Sequence, residues 1–216
     1  MVPMDETTTR RAAHEDLQYI RQTLAAAGHI STVPGKGLVA IGFAALAAVY
    51  LDGLLTSPGS RWLNPDPGAI QFVQDASHRA PQILWLVLLV LCMAVGVVTM
   101  RQKARRMGQM FWTPVLRKAL WGYGASLALG GILSATALMS GRNDMIPEFW
   151  LGCYGVGLIA AGGYSVAPVR WMGLCFLLLA AAAGVTPAGY GPALLALGFG
   201  WVHIAFGAYI AWRHDG

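Results

Sequence analysis

The apolar segments that make up most of this sequence contain few side chains that could do chemistry. His203 is the one histidine near the middle of such a segment, and ionisable residues are costly inside a membrane, so it is the first functional candidate. Its imidazole could contact a ligand, accept a proton, or form a core hydrogen bond to a tyrosine, a serine or a backbone carbonyl. We group it with the tyrosines of other apolar segments as candidate ligand-binding residues: His203, Tyr154, Tyr164 and Tyr123.

A metal site or an active site would need partners that the sequence does not supply. Structural zinc sites take four protein ligands and catalytic zinc sites three, and Cys92 is the only donor at a depth comparable to that of His203. A haem held by two histidines would need a second buried histidine. Signatures of nucleophile elbows, phosphate loops and zinc proteases are also absent. We therefore predict no metal, no cofactor and no catalytic residue.

Three charged residues lie at the ends of apolar segments rather than inside them. Asp52 is near the outer end of the first segment, Glu148 at the outer start of the fourth, and Arg170 at the inner start of the fifth. All three can reach lipid headgroups or water, so we predict interfacial positions for them. No pair of acidic residues lies at membrane depth, which weakens the case for a proton-coupled transporter.

The composition is typical of a multi-pass membrane protein. Of the 216 residues, 56% are hydrophobic and 12% are charged, whereas soluble domains are about 45–50% apolar with glycine included and about 25% charged. This excludes a disordered, collagen-like or nucleic-acid-binding chain. A bilayer crossing takes about 20 apolar helical residues, and six segments meet this requirement: 37–55, 82–100, 115–139, 147–166, 169–187 and 192–212. The predicted fold is all-α, with six transmembrane helices in a compact bundle.

Prolines support these boundaries because they stand at or beyond the segment ends rather than in the middles. A proline inside a helix removes one hydrogen bond and clashes with the preceding turn, so we predict six helices without proline kinks. The chain then divides into a cytosolic arm at 1–33, a membrane domain at 34–212 and a short cytosolic tail at 213–216.

The distribution of lysine and arginine predicts the orientation, because cytoplasmic loops carry the excess of these residues. The N-terminal arm and the loop after the second segment hold most of them, whereas the opposite side has only Arg61, Arg79 and Arg142. Both termini are therefore predicted to be cytoplasmic.

The N-terminal arm has the pattern of an amphipathic helix from about Thr8 to Ala27. Apolar residues recur on one face with spacings of three and four, which is the helical period; they are Ala13, Leu17, Ile20, Leu24 and Ala27. The helix could dock a partner or a second copy of the chain. It could equally lie on the inner leaflet or on the protein's own cytosolic face, since an apolar stripe says only that something covers it.

A basic cluster follows the second segment. Four such charges beside a membrane are typical of binding to anionic lipid headgroups, and they also serve as a determinant of topology; the residues are Arg101, Lys103, Arg105 and Arg106. Either role accounts for the net charge of +5 without a nucleic-acid partner.

Three stretches carry a resemblance to a known family. They are IRQT at 20–23 with VPGKG at 33–37, the stretch from YGVG to GGYSV at 154–166, and GFGWVHIAFG at 198–207. Together they resemble a family of small bacterial inner-membrane proteins of uncharacterised function. The resemblance implies a bacterial source and a six-helix fold, and it implies no activity. His203 lies inside the third stretch.

Three functional interpretations follow from these features. The first is a non-enzymatic inner-membrane protein that binds or passes a small molecule or ion, for which a channel would need a symmetric oligomer. The second is an accessory or sensory subunit that acts on a membrane-protein partner through its N-terminal helix. The third is an intramembrane enzyme, which would depend on His203 with Cys92 or Tyr154.

Overall fold

The computed structural model describes residues 14–18, 33–56, 79–108 and 110–214, and within them it contains helices and no strands. Six helices among the described residues are long and apolar enough to cross a membrane. The predicted all-α class and the predicted number of apolar helices are thereby confirmed.

The first five of these helices are single α-helices. They are α1 (Gly35–Thr56), α2 (Arg79–Arg106), α3 (Pro114–Met139), α4 (Ile146–Gly162) and α5 (Ala167–Val185). The sixth span, Ala188–Arg213, is composite, and its parts are a 3₁₀ turn (Ala188–Tyr190), α6 (Gly191–Leu195), a π-helical segment (Ala196–Val202) and α7 (His203–His214). A second 3₁₀ turn, Asn143–Met145, precedes α4.

Prolines begin several of these helices, as the sequence predicts. A proline lies in the first two positions of α3, α4, α5 and α6, where its missing N–H costs no helical hydrogen bond. At α3 the preceding Thr113 also caps the helix, because its side-chain oxygen accepts a hydrogen bond of 3.1 Å from the Leu116 N–H.

The predicted C-terminal ends differ most from the structure at two helices. The fourth segment was expected to reach residue 166, but α4 ends at Gly162, and the turn that follows is closed by the Tyr164 N–H, which donates to the Ala161 carbonyl at 3.0 Å. The backbones are close at this end, because a Cβ on Gly162 would lie 2.9 Å from the Arg170 nitrogen of α5. The second difference is that α2 continues to Arg106, so the basic cluster is helical.

The helices contact one another in a definite order. Helix α4 lies between α3 and α5, whereas α1 packs against α2, α7 and the π-helical segment. Contacts of α5 with α7 and with the π-helical segment join the two groups. The fully buried side chains Leu151, Phe176 and Ile210 mark the core where these helices meet.

Glycines set the closest helix contacts. A Cβ on Gly155 of α4 would lie 2.9 Å from the Gly173 carbonyl oxygen of α5, and a Cβ on Gly173 would lie 2.8 Å from the Gly155 oxygen. Helices α1 and α7 meet in the same way, since a Cβ on Gly207 would lie 2.9 Å from the Gly35 oxygen. Small residues at these positions let the backbones approach closely, which is how helices associate in lipid.

The predicted N-terminal helix is described only at residues 14–18, which are helical and exposed. The rest of residues 1–32, residues 57–78 and the last two residues of the tail lie outside the described part of the chain.

Substitution of Gly155 by alanine tests the α4–α5 contact. The added methyl group must push two backbones apart, and overpacking of this kind costs about 1–3 kcal/mol, so the thermal midpoint of the purified protein should fall. Gly131→Ala is the matched control, because nothing lies within 4 Å of its Cβ position and alanine is the better helix former. Equal midpoints for the two variants would contradict the close contact.

Candidate functional site

His203 is the first residue of α7 and is completely buried. Its Nε2 atom lies 2.7 Å from the Tyr154 hydroxyl of α4, and its Nδ1 atom lies 3.3 Å from the Gly198 carbonyl oxygen. Because a carbonyl can only accept, Nδ1 carries the proton and Nε2 accepts from Tyr154. The core hydrogen bond that the sequence predicts for His203 is therefore present, and Tyr154 is the partner.

An aromatic contact continues from Tyr154 to α3. The Tyr123 and Tyr154 rings pack edge to face with their centroids 5.9 Å apart. Tyr154 has a single hydroxyl proton, which goes to His203. The hydrogen bonds therefore run in one direction, from Tyr154 through His203 to the Gly198 carbonyl, and Tyr123 packs beside the first donor. We call these residues the His–Tyr chain.

Aromatic side chains hold the His–Tyr chain in place. The Tyr154 ring packs against Phe176 of α5 at 4.7 Å between centroids and against Phe199 of the π-helical segment at 5.0 Å. The His203 imidazole lies 5.4 Å from Phe176 and 6.0 Å from Phe199. A hydrogen bond in such apolar surroundings is strong, and a missing one is costly.

The π-helical segment that supplies the Gly198 acceptor was not predicted from the sequence. Such segments occur frequently at functional sites, and this one leads directly into His203. It also packs tightly, because a Cβ on Gly198 would lie 2.7 Å from Leu151 of α4 and 3.0 Å from Phe176 of α5. The glycines at 198 and 200 are the only local signal, and glycines are common throughout this sequence.

The third candidate tyrosine lies elsewhere. Tyr164 is in the turn after α4 and its side chain is 38% exposed, so it is not part of the His–Tyr chain. Two serines of α3 that could have bonded to His203 are engaged with other groups. Ser126 donates to the Cys153 carbonyl, while Ser134 accepts from the Trp150 indole at 2.8 Å and donates to the Gly130 carbonyl at 2.7 Å.

The three charged residues at segment ends have different surroundings. Asp52 is partly buried and is hydrogen-bonded to the Trp85 indole of α2. Glu148 is partly buried beside Gly184 of α5, and Arg170 is exposed at the start of α5.

The basic cluster occupies the last turns of α2, where cations are favourable because the helix dipole is negative at that end. The Lys103 ammonium donates to the Val33 carbonyl at 3.0 Å, which ties α2 to the segment that leads into α1. Arg101, Arg105 and Arg106 are exposed and are the members of the cluster that can reach lipid headgroups.

The side chains around His203 provide hydrogen-bonding groups. Within the described ranges, no three histidine, cysteine or acidic side chains lie together as a metal site would require. The His–Tyr chain instead has groups that donate and accept hydrogen bonds in sequence.

No protein-family model, curated protein or solved structure matches this chain. The functional argument therefore depends on the geometry of the site.

Replacing Tyr154 by phenylalanine tests the hydrogen bond to His203. It leaves the buried Nε2 atom without its partner, which costs about 1–3 kcal/mol, so the thermal midpoint should fall clearly. Tyr164→Phe removes the same group from an exposed tyrosine and should leave the midpoint unchanged. If both variants melt like the unmodified protein, the hydrogen bond contributes nothing to stability.

Proposed function

We propose that this chain is a non-enzymatic integral membrane protein that binds, or allows the passage of, a small molecule or ion at the His–Tyr chain. The observation that carries the proposal is the convergence of His203, Tyr154 and Tyr123 from three different apolar helices. Polar groups at membrane depth are costly and are typically retained for function.

The direction of the hydrogen bonds indicates what the ligand would offer. If the Tyr123 hydroxyl donates towards Tyr154, its oxygen remains able to accept a further hydrogen bond. A ligand beside Tyr123, at this end of the His–Tyr chain, would therefore supply a hydrogen-bond donor or a positive charge.

The proposal places the protein in a bacterial inner membrane as a compact bundle with both termini in the cytoplasm. The lysines and arginines near the starts of α1, α3 and α5 and the end of α2 favour this orientation. Exposed tryptophans lie at the same ends of the helices, where amphipathic aromatic rings settle at the membrane interface; they are Trp112, Trp171 and Trp212. The exposed arginines of α2 would bind anionic lipids there.

Tyr123→Phe provides the test of this proposal. It removes the hydroxyl at the end of the His–Tyr chain but leaves the ring and the Tyr154–His203 hydrogen bond, so the protein should stay folded. In native mass spectrometry of protein released from its own membrane, the unmodified protein should carry a defined non-lipid mass that Tyr123→Phe loses.

The control for this experiment is Tyr164→Phe, which should retain the added mass because Tyr164 lies outside the His–Tyr chain. Retention by both variants would exclude Tyr123 from binding. Absence of any non-lipid mass on the unmodified protein would remove the support for ligand binding.

A second candidate function is that of an accessory or sensory subunit, in which the N-terminal helix binds a protein partner or a second copy of the chain. The observation that favours it is Leu17, a member of the predicted apolar stripe. This residue lies in the described helical segment 14–18 and is 54% exposed.

Leu17→Glu distinguishes this second function from the first. If the stripe docks a partner, native mass spectrometry of the unmodified protein should show a second polypeptide bound at a fixed ratio. A charge on the stripe should prevent docking, so Leu17→Glu should lose this polypeptide. Gln18→Glu, which adds the same charge to a neighbouring exposed position of the same helical segment, should retain it. Loss in both variants would point to a general charge effect and contradict docking through the stripe.

A further inference from the structure

A groove lies on the face of α4 that is bordered by α3 and α5, and its volume is about 290 Å³. It is separate from the His–Tyr chain, none of whose members lines it. Small residues of α4 and α5 form its floor because they leave room between larger neighbours; they are Gly152, Cys153, Ala180 and Ala181. Leu129 and Val156 add apolar walls.

One end of this groove is acidic and aromatic. Glu148 and Phe149 are consecutive residues in the first turns of α4, and both line the groove. The Glu148 carboxylate lies over Gly184 of α5, where a Cβ would be 3.2 Å from Oε1 and 3.5 Å from Oε2. The two residues therefore place a negative charge and an aromatic ring at one site.

The Glu148 carboxylate has no cationic partner in the structure. It forms no hydrogen bond or ion pair with any of the described residues, and no lysine, arginine or histidine lines the groove. A partly buried carboxylate in apolar surroundings is stabilised by a positive charge. The groove itself supplies no such charge, so a cationic ligand could provide it.

The dimensions limit the size of an occupant. The α4 residues that line the groove extend from Glu148 to Val156, which is about 12 Å along a helix that rises about 1.5 Å per residue. Small-molecule sites generally have volumes of about 300–1,000 Å³, so this groove is at the small end of the range. It fits one charged group with a compact apolar body.

We propose that this groove binds a monovalent organic cation with a small apolar or aromatic body. Glu148 neutralises the charge, Phe149 provides an aromatic face of the kind that attracts quaternary ammonium groups, and the floor of small residues accommodates the apolar part. The site is independent of the proposed function, because it uses neither His203 nor the two tyrosines of the His–Tyr chain.

Binding of benzyltrimethylammonium tests this inference. The full-length protein is kept in micelles of a nonionic detergent, so that no lipid ammonium group competes, and saturation-transfer NMR measures binding against empty micelles. Saturable binding to the unmodified protein is expected. Glu148→Gln keeps the size of the side chain but removes its charge, so it should weaken binding about tenfold or more. A tenfold change in affinity corresponds to about 1.4 kcal/mol, and the attraction between two close opposite charges in a partly buried site is larger than this.

Two further variants separate the groove from general effects. Asp144→Asn removes a negative charge from an exposed position in the turn just before α4, and binding should be unchanged. Ala181→Phe fills the groove from an exposed position of α5 and should abolish binding although Glu148 remains. The inference is overturned if the unmodified protein shows no saturable binding, if Glu148→Gln binds equally well, if Asp144→Asn weakens binding to the same extent, or if Ala181→Phe has no effect. Each of these outcomes is independent of the Tyr123→Phe result, so the two proposals fail separately.

Discussion

The constraint on which this structure depends is that a polar group in an apolar interior must find its partner within the protein, because no water is there to replace it. His203 meets the constraint on both sides of its ring, through Tyr154 and the Gly198 carbonyl. These two bonds fix the tautomer of the imidazole and the position of the Tyr154 hydroxyl. They also connect α4 to the sixth span at a point where packing alone would allow the two helices to shift relative to each other.

Close packing of the helices makes this connection feasible. In lipid there is little hydrophobic drive between helices, so van der Waals contact and interhelical hydrogen bonds stabilise their association. The crossing of α4 and α5 at Gly155 and Gly173 brings Phe176 onto the Tyr154 ring. The crossing of α1 and α7 at Gly35 and Gly207 fixes the helix that begins with His203. The glycine contacts and the polar contacts therefore support each other.

The sequence predicts the helical class and the approximate positions of the six apolar helices because both depend on local composition and length. It does not predict which tyrosine meets His203, since that depends on how each helix is rotated about its axis. The sequence does not separate Tyr164 from Tyr154, because apolar and small residues continue to Val166, whereas α4 ends at Gly162 and leaves Tyr164 in the following turn. The groove beside Glu148 was also beyond the sequence, because its floor combines residues from α4 and α5.

The π-helical segment Ala196–Val202 has a geometric consequence for everything that follows it. Its hydrogen bonds span one residue more than those of an α-helix, and each residue of an α-helix advances the side chains by about 100° around the axis. The segment therefore acts as an angular offset between the two halves of the sixth span. With one residue fewer in it, Gly207 and Ala211 would turn away from Gly35, and the imidazole at its end would no longer point at α4. The register of the last helix is thus set by an irregularity several residues upstream, rather than by the residues that make its contacts.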